Sequence, residues 1–264
     1  MYTINDIKVE LLNPEEVKNF IKNHGIFACQ CYNTPEKFAE RVGLSCLKEG
    51  HTSGSRADMF KFRIHCPRYT ADQIMRHAVG TAINCQSQRY VDMDDNFHIF
   101  VPDKVTQDSI LRKAYLNYEE ECRNRYKAIR ALMDCYEITG EEANDLMRTM
   151  LPIGIECNLT MGFTVEALVH FMNKRLCFRA DAPIRKVAQE MRKVVLEAEP
   201  RYAEFLVPQC KSLMYCPEKH GCGMYPNKKD IMELIQLGYQ AKKEEDSLGR
   251  HSCDNDNIYG SSIH

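Results

Sequence analysis

The sequence predicts an α+β protein in which an antiparallel sheet packs with long helices and the second half is helical. Three observations carry this. Met59 to Cys66 alternates cleanly, with Phe60, Phe62, Ile64 and Cys66 on one face and Lys61, Arg63 and His65 on the other, the pattern of a half-buried strand. Leu111, Tyr115, Tyr118, Cys122, Tyr126, Ile129, Met133 and Tyr136 recur at spacings of three and four, which marks one long amphipathic helix. Beyond it, helix start signals follow one another: Thr139 with Glu142, Thr164, and Asp181 with Pro183.

The elements read in order as follows. Residues 4–12 predict a first strand. Asn13-Pro14-Glu15-Glu16 starts a short helix, with Pro14 at the first helical position. Cys29 and Cys31 read as two strand cysteines on one face, with a metal pair as the alternative. Thr34-Pro35 opens a helix over 34–49 that buries Phe38, Ala39, Val42 and Cys46 and is closed by Gly50. The small polar loop from Gly50 to Ser55 either lets backbone approach a ligand or simply connects. After the Met59–Cys66 strand, Thr70 caps a helix with Gln73 reaching back in a capping box, and Ala71, Ile74, Met75 and Ala78 form its apolar face. Asn96 to Val101 alternates Phe97, Ile99 and Val101 and predicts a strand stopped by Pro102.

In the second half the long helix is core or subunit interface, and its tyrosines are packing groups. The helix capped by Thr139 and Glu142 turns Leu146, Met147, Met150 and Leu151 inward and Arg148 to another face. The Thr164 helix buries Val165, Leu168, Val169, Met172 and Leu176 and bears His170 and Arg175. The Asp181–Pro183 helix buries Ile184, Val187, Ala188, Met191, Val194, Val195 and Ala198. Composition shifts after Pro208. The domain reading is 1–208, a Cys-rich segment and helix over 209–241 (the helix at Lys228 to Gln240), and a disordered tail over 242–264.

Bulk numbers set limits. The 264 residues are 44% hydrophobic, enough for a sizeable core, and the net charge of -2 argues against a protein that coats nucleic acid. No run approaches the roughly 18 apolar residues of a membrane span, and Met1 to Asp6 lacks the regions of a signal peptide. A cytoplasmic protein is expected. Thirteen cysteines, an odd number, read as reduced thiols. Cys210, Cys216, His220 and Cys222 are candidate metal ligands, with packed thiols as the alternative.

Thr70 to Met93 concentrates the chemistry. Arg76, His77, Ser87 and Arg89, with side-chain amides between them, supply what a phosphorylated planar ligand needs. Cations and a hydroxyl serve the phosphate, and amides serve a base edge. A solvated polar helix end is the alternative.

The order of these residues resembles the flavin-dependent thymidylate synthase family. The family signature is R-H-R followed, after a fixed spacing, by S-x-R-Y. Gln73-Ile-Met-Arg76-His77-Ala78 and Ser87-Gln-Arg89-Tyr90 resemble it. The Asn96–Pro102 strand resembles F-x-I-P, and Met147-Arg148-Thr-Met-Leu151-Pro152 resembles A-R-x-x-L-P. Ala167-Leu168-Val169-His170-Phe171 with Arg175 resembles S-L-M-(N/H)-F and the catalytic arginine, and Arg179 to Arg185 resembles R-A-Q-W-E-I-R. Pro208-Gln-Cys210, Cys216-Pro-Glu218 and Cys222-Gly223 resemble the cysteine-bearing tail of clostridial members. Cys31-Tyr32 and Gly50-His51-x-Ser53 match the family's N-terminal half.

The resemblance implies the family's fold and a homotetramer with FAD between subunits. It implies methylation of dUMP to dTMP, with methylene-tetrahydrofolate as carbon donor and NADPH as reductant. By position, Gln73, Arg76, Ser87, Arg89 and Arg148 would hold dUMP. Arg175 would polarise the uracil carbonyl; Ser53, His77 and His170 would touch the flavin; His51 and Tyr90 would line the flavin and folate side. Departures sit at the same places. Ala78 replaces the third signature residue, Ser87 follows after one extra residue, and Cys85 replaces a glutamate. Arg56 stands where an acid is expected and Glu166 where a base is expected, and the two are expected to pair. Asp181-Ala182-Pro183 replaces Q-W-E. Two other readings stay open: a paralogue that alkylates or hydroxymethylates another pyrimidine nucleotide, and a non-catalytic nucleotide-binding protein without FAD.

Overall fold

The computed structural model describes residues 7–93 and 97–250. Four antiparallel strands form one sheet: β1 (Lys8–Leu11), β2 (Met59–Pro67), β3 (Thr81–Cys85) and β4 (Glu156–Thr164), in the order β1-β2-β4-β3. β2 lies where the alternation placed it, and Phe60, Phe62, Ile64 and Cys66 are all buried. Two strands go beyond those expected from the sequence. β3, Thr81-Ala-Ile-Asn-Cys85, is short and, as an edge strand, buries none of its residues fully, so it shows no core stripe. β4, paired on both sides, does alternate, with Cys157, Leu159, Met161 and Phe163 set between Asn158, Thr160 and Gly162; the strand signal is in the sequence and was missed.

The predicted strand over 96–101 is not one. Asn96 lies outside the described residues. From Phe97 on there is no ladder, only a bridge between Ile99 and Ile155. Phe97, Ile99, Phe100 and Val101 are all buried, so the segment is a plug rather than a two-faced strand. The Arg123 guanidinium donates to the Phe97 carbonyl oxygen at 2.7 Å and holds it there.

The helices of the first compact unit, which ends at Pro208, are α1 (Pro14–Val17), α2 (Phe20–Cys31), α3 (Ala39–Lys48), α4 (Arg68–Met75), α5 (Asp103–Thr106), α6 (Ser109–Cys135), α7 (Gly140–Met147), α8 (Val165–Arg175) and α9 (Ala182–Ala198). Cys29 and Cys31 are helical, not strand residues. Phe20, Ile21, His24, Gly25, Ala28 and Cys29 are buried at steps of one and three to four, a helical stripe that leaves Cys31 outside. α2 and α3 cross at two glycines. A Cβ on Gly25 would fall 1.7 Å from the Ala39 carbonyl oxygen, and one on Gly43 would fall 2.0 Å from that of Ile21. That crossing, rather than Phe38 and Val42, sets the buried face of α3: Ala39, Gly43, Cys46 and Leu47.

α4 begins two residues before Thr70, because Pro67 ends β2 and turns the chain directly into the helix. Thr70 therefore sits buried inside the first turn and caps nothing. Thr139 stands at the N-cap of α7 without a side-chain hydrogen bond. Leu146 and Met150, expected inside, are exposed, while Met147 is buried. The Thr164 cap of α8 is made: its hydroxyl oxygen accepts from the Ala167 N–H at 3.2 Å. α9 lays Ile184, Val187, Ala188, Met191 and Val195 into the core. On α6 only Glu119 and Tyr126 are buried; Leu111, Tyr118, Leu132 and Tyr136 face outward.

The second unit begins at Gln209. It contains α10 (Gln209–Leu213) and α11 (Lys228–Arg250). α11 runs on where a disordered tail was expected from 242, since Lys242, Lys243, Glu244 and Glu245 are good helix formers of balanced charge; residues 251–264 lie outside the described ones. Among the described residues no three His, Cys, Asp or Glu side chains converge as a metal site. Cys210, Cys216, His220 and Cys222 are thus not gathered as ligands. Cys216 is buried with its sulfur against Gly221, whereas Cys222 is exposed. No helix among the described residues is long and apolar enough to cross a membrane.

Candidate active site

α4 ends at Met75 with Arg76 at its C-cap, and His77, Ala78, Val79 and Gly80 turn the chain into β3. Gly80 takes φ 71°, a conformation that favours glycine, and its carbonyl oxygen accepts from the Thr164 N–H at 2.9 Å. The Thr81 hydroxyl donates to the His77 carbonyl oxygen at 2.8 Å and fixes the other side of the turn. α8 runs alongside. Between them lies a cavity of about 700 Å³, lined by this turn from Arg76 to Gly80 and by Arg56, Thr164, Glu166, Ala167 and His170.

The distinctive contact of this region joins residues 98 positions apart. Arg175 Nε donates to His77 Nε2 at 2.9 Å, so that ring nitrogen carries no proton and the imidazole is neutral. Burial, the Arg175 charge and then His170 push the His77 pKa down to about 4. The His77 ring meets the Phe171 ring edge to face at 4.9 Å and lies 6.0 Å from the His170 ring. Burial and the neighbouring Arg76 lower the Arg175 pKa; guanidinium's ordinary value is so high that the group stays charged. The expected Arg56–Glu166 pair forms: Arg56 Nε to Glu166 Oε2 is 2.7 Å and the second contact 3.4 Å.

The remaining predicted residues do not line this cavity. Arg89 and Arg148 gather beside α7, where two carboxylates receive them. Arg89 contacts Glu141 at 2.6 Å and Asp145 at 3.2 Å, and Arg148 contacts the same Asp145 oxygen at 2.9 Å. The Ser87 hydroxyl oxygen accepts from the Arg89 N–H at 3.3 Å, and the Arg89 guanidinium stands over the Tyr90 ring. Gln73 is half-buried on α4; His51 and Ser53 are exposed, close in sequence to Arg56. Glu141 and Asp145 were missed in the sequence. Their signal was present: they are four apart on one helix, and Asp145 precedes Arg148 by three.

The family model described as thymidylate synthase complementing protein matches residues 19–201. The flavin-dependent thymidylate synthase of Nitratidesulfovibrio vulgaris is 31% identical over 190 residues, which are 71% of this chain and 77% of that protein. This chain belongs to the flavin-dependent thymidylate synthase family. The Geobacter sulfurreducens flavin-dependent thymidylate synthase is 32% identical over 171 residues, 64% of this chain and 69% of that one. Among solved structures, the UMP/dUMP methylase PolB from Streptomyces cacaoi, bound with 5-Br dUMP, shares the fold, with a TM-score of 0.57 and 18% identity over 76% of this chain and 96% of that one.

Within this flavin-dependent thymidylate synthase family, the chain's departures now have places. The segment between Ala78 and Ser87, which carries the extra residue, runs through the turn that walls the cavity, where Val79 is 92% exposed, and through β3. The sign-reversed Arg56 and Glu166 line the same cavity and neutralise each other. Cys85 closes β3.

Proposed function

We propose that this protein is a flavin-dependent thymidylate synthase that methylates dUMP to dTMP, with carbon from methylene-tetrahydrofolate and electrons from NADPH through FAD. The observation that carries the reading is the cavity where Arg76, His77 and His170 meet, with Arg175 bonded to His77. Its residues fit a flavin. The volume of about 700 Å³ lies within the range of cofactor sites. Ala78, Gly80 and Ala167 give small apolar surface for a flat ring, and His77 brings an uncharged imidazole. A Cβ on Gly80 would come within 2.8 Å of the Thr164 hydroxyl oxygen, so only glycine keeps this wall as it is.

In this reading His77 and His170 would hold the flavin, with Ser53, His51 and Tyr90 on the flavin and folate side. Bound FAD supplies the electrons that reduce the transferred carbon. Arg76, Gln73, Ser87, Arg89 and Arg148 bind the nucleotide. Arg175 polarises the uracil carbonyl. Neutral His77 accepts from Arg175 and so orients the guanidinium without repelling it. The outward apolar residues of α6, with Tyr136 72% exposed, support assembly into a homotetramer.

The test is direct. The purified protein should be yellow or take up FAD, and with dUMP, methylene-tetrahydrofolate and NADPH it should form dTMP. A colourless protein that FAD cannot reconstitute sinks the flavin reading. Flavin binding without dTMP sinks the dUMP reaction, and no dUMP binding at millimolar concentration sinks nucleotide recognition. The longer segment before Ser87 and the reversed Arg56–Glu166 pair favour one second reading, a paralogue that alkylates or hydroxymethylates another pyrimidine nucleotide. Product analysis with UMP and dCMP in the same assay distinguishes it.

A further inference from the structure

Three cysteines from three strands share one face of the sheet. Cys66 on β2 stands directly opposite Cys157 on β4. Cys85, the last residue of β3, reaches the same place: its register partner on β4 is Leu159, two residues from Cys157 and on the same face. The Cys85 and Cys157 sulfurs are 3.7 Å apart. The Arg68 guanidinium, at the start of α4, lies 3.6 Å from the Cys85 sulfur and is itself paired with Asp72 at 3.0 Å. Cys157 and Cys66 are buried, whereas Cys85 is partly exposed.

We propose that Cys85 is a peroxide-reactive thiol and Cys157 its resolving partner, so that this corner of the sheet is a redox modification site. One sulfur has both access to solvent and a cation beside it; the other waits behind it in the interior. The charged and titratable groups that face Cys85 are Arg68 and Asp72 from α4, Cys157 from β4 and Cys66 from β2. The hydrogen bond shared with Cys157 and then the Arg68 charge draw the Cys85 thiol down, against the opposing effects of burial and Asp72. The same hydrogen bond and burial push Cys157 up, and burial pushes Cys66 up to about 12. Of the three, Cys85 is therefore the thiol most readily ionised.

The step balances as follows. The Cys85 thiolate attacks one oxygen of hydrogen peroxide, the O–O bond breaks, and hydroxide leaves and takes a proton from solvent. Cys85 is now a sulfenic acid. Cys157 then loses its proton and its sulfur attacks that of Cys85. An S–S bond forms, the S–O bond breaks, and the leaving hydroxide departs with the Cys157 proton as water. Two thiols have given two electrons, and one peroxide has become two waters. The sulfurs must close from 3.7 Å to about 2 Å, and because Cys85 lies diagonal to Cys157 in the register, the backbone at the end of the edge strand must move inward as the side chains rotate.

Alkylation of the full-length protein with iodoacetamide across a pH series, read by peptide mass mapping, tests the thiolate. Cys85 should react with a midpoint below the ordinary thiol range. At about pH 6 it should react roughly tenfold faster than exposed Cys31 and Cys135 in the same digest, the gain in thiolate fraction outweighing the lower nucleophilicity of an acidic thiol. Arg68→Gln should raise the midpoint and slow the reaction. Stoichiometric peroxide should then yield a Cys85–Cys157 linked peptide, and Cys157→Ser should instead leave a sulfenic acid at Cys85 that dimedone traps. If Cys85 alkylates no faster than Cys31 and Cys135, or if peroxide links Cys66 to Cys157, the assignment is overturned. The wild-type kinetics decide the matter even where a serine variant does not fold.

Discussion

Replacing His77 by Gln tests whether a neutral imidazole is built into the fold. The folded pKa of about 4 lies below histidine's ordinary 6.5. The unfolded chain therefore binds more protons than the folded one between these values, and stability rises with pH across that window. The His77 contribution is whole above about pH 6.5 and is lost as pH falls toward 4. For that shift, linkage gives about 2.5 kcal/mol lost between about pH 7.5 and 4.5. The ring is only partly buried, and solvent screening reduces the figure by roughly half, to about 1.2 kcal/mol. Urea unfolding at the two pH values measures it. Wild type should lose about 1.2 kcal/mol more than His77→Gln, because the carboxylates that titrate in the same range are common to both. Glutamine can still accept the Arg175 N–H, so the variant isolates the proton from the hydrogen bond. A proton NMR titration of the imidazole gives an independent reading, and Arg175→Gln should move its midpoint upward. Equal pH slopes in wild type and variant, or an imidazole midpoint near 6.5, would refute the reasoning.

Other outcomes follow from the same geometry. Gly25→Ala and Gly43→Ala place a methyl against helix backbone at the α2–α3 crossing and should each destabilise by about 2–3 kcal/mol or more, measured by thermal unfolding; a loss below about 0.5 kcal/mol would show that the helices part freely. A double-mutant cycle on Arg56 and Glu166 should give only about 0.2–1 kcal/mol of coupling in stability, since both side chains are largely exposed; the charge-swapped pair Arg56→Glu with Glu166→Arg should restore it, and a failure to restore would mean that each charge has a different partner. Asp145→Asn removes the carboxylate shared by Arg89 and Arg148 and should tighten dUMP binding about two- to fivefold by calorimetry, whereas weaker binding would mean that Asp145 positions the arginines for the phosphate. Phe60→Ala empties a fully buried site between Phe20 and Tyr202 and should lower stability by about 3–5 kcal/mol, with an unchanged denaturation midpoint as the contrary result.

The sequence by itself determined the elements whose burial is periodic and local. β2 announces itself because alternate residues face core and water, α9 because its stripe repeats every three to four residues, and α8 because Thr164 caps the helix that it begins. The same local order placed Arg76, His77, Ser87 and Arg89 in a recognisable row and marked Arg56 and Glu166 as a compensating pair. Only the tertiary structure decided the contacts that depend on sheet register and helix crossing. β4 alternates as β2 does, but its place between β2 and β3 is set by the sheet order, and Gly25 and Gly43 acquire meaning only where two helices touch. His77 is kept neutral by burial and by Arg175, 98 residues on, which bonds to it. The Cys85 thiol is drawn down by Cys157 and Arg68, which stand beside it. Arg89 and Arg148 meet two carboxylates rather than open water. A residue type states which chemistry is available, but its protonation and partner are set by distances of a few ångström between segments far apart in the chain, and those follow from the packed fold.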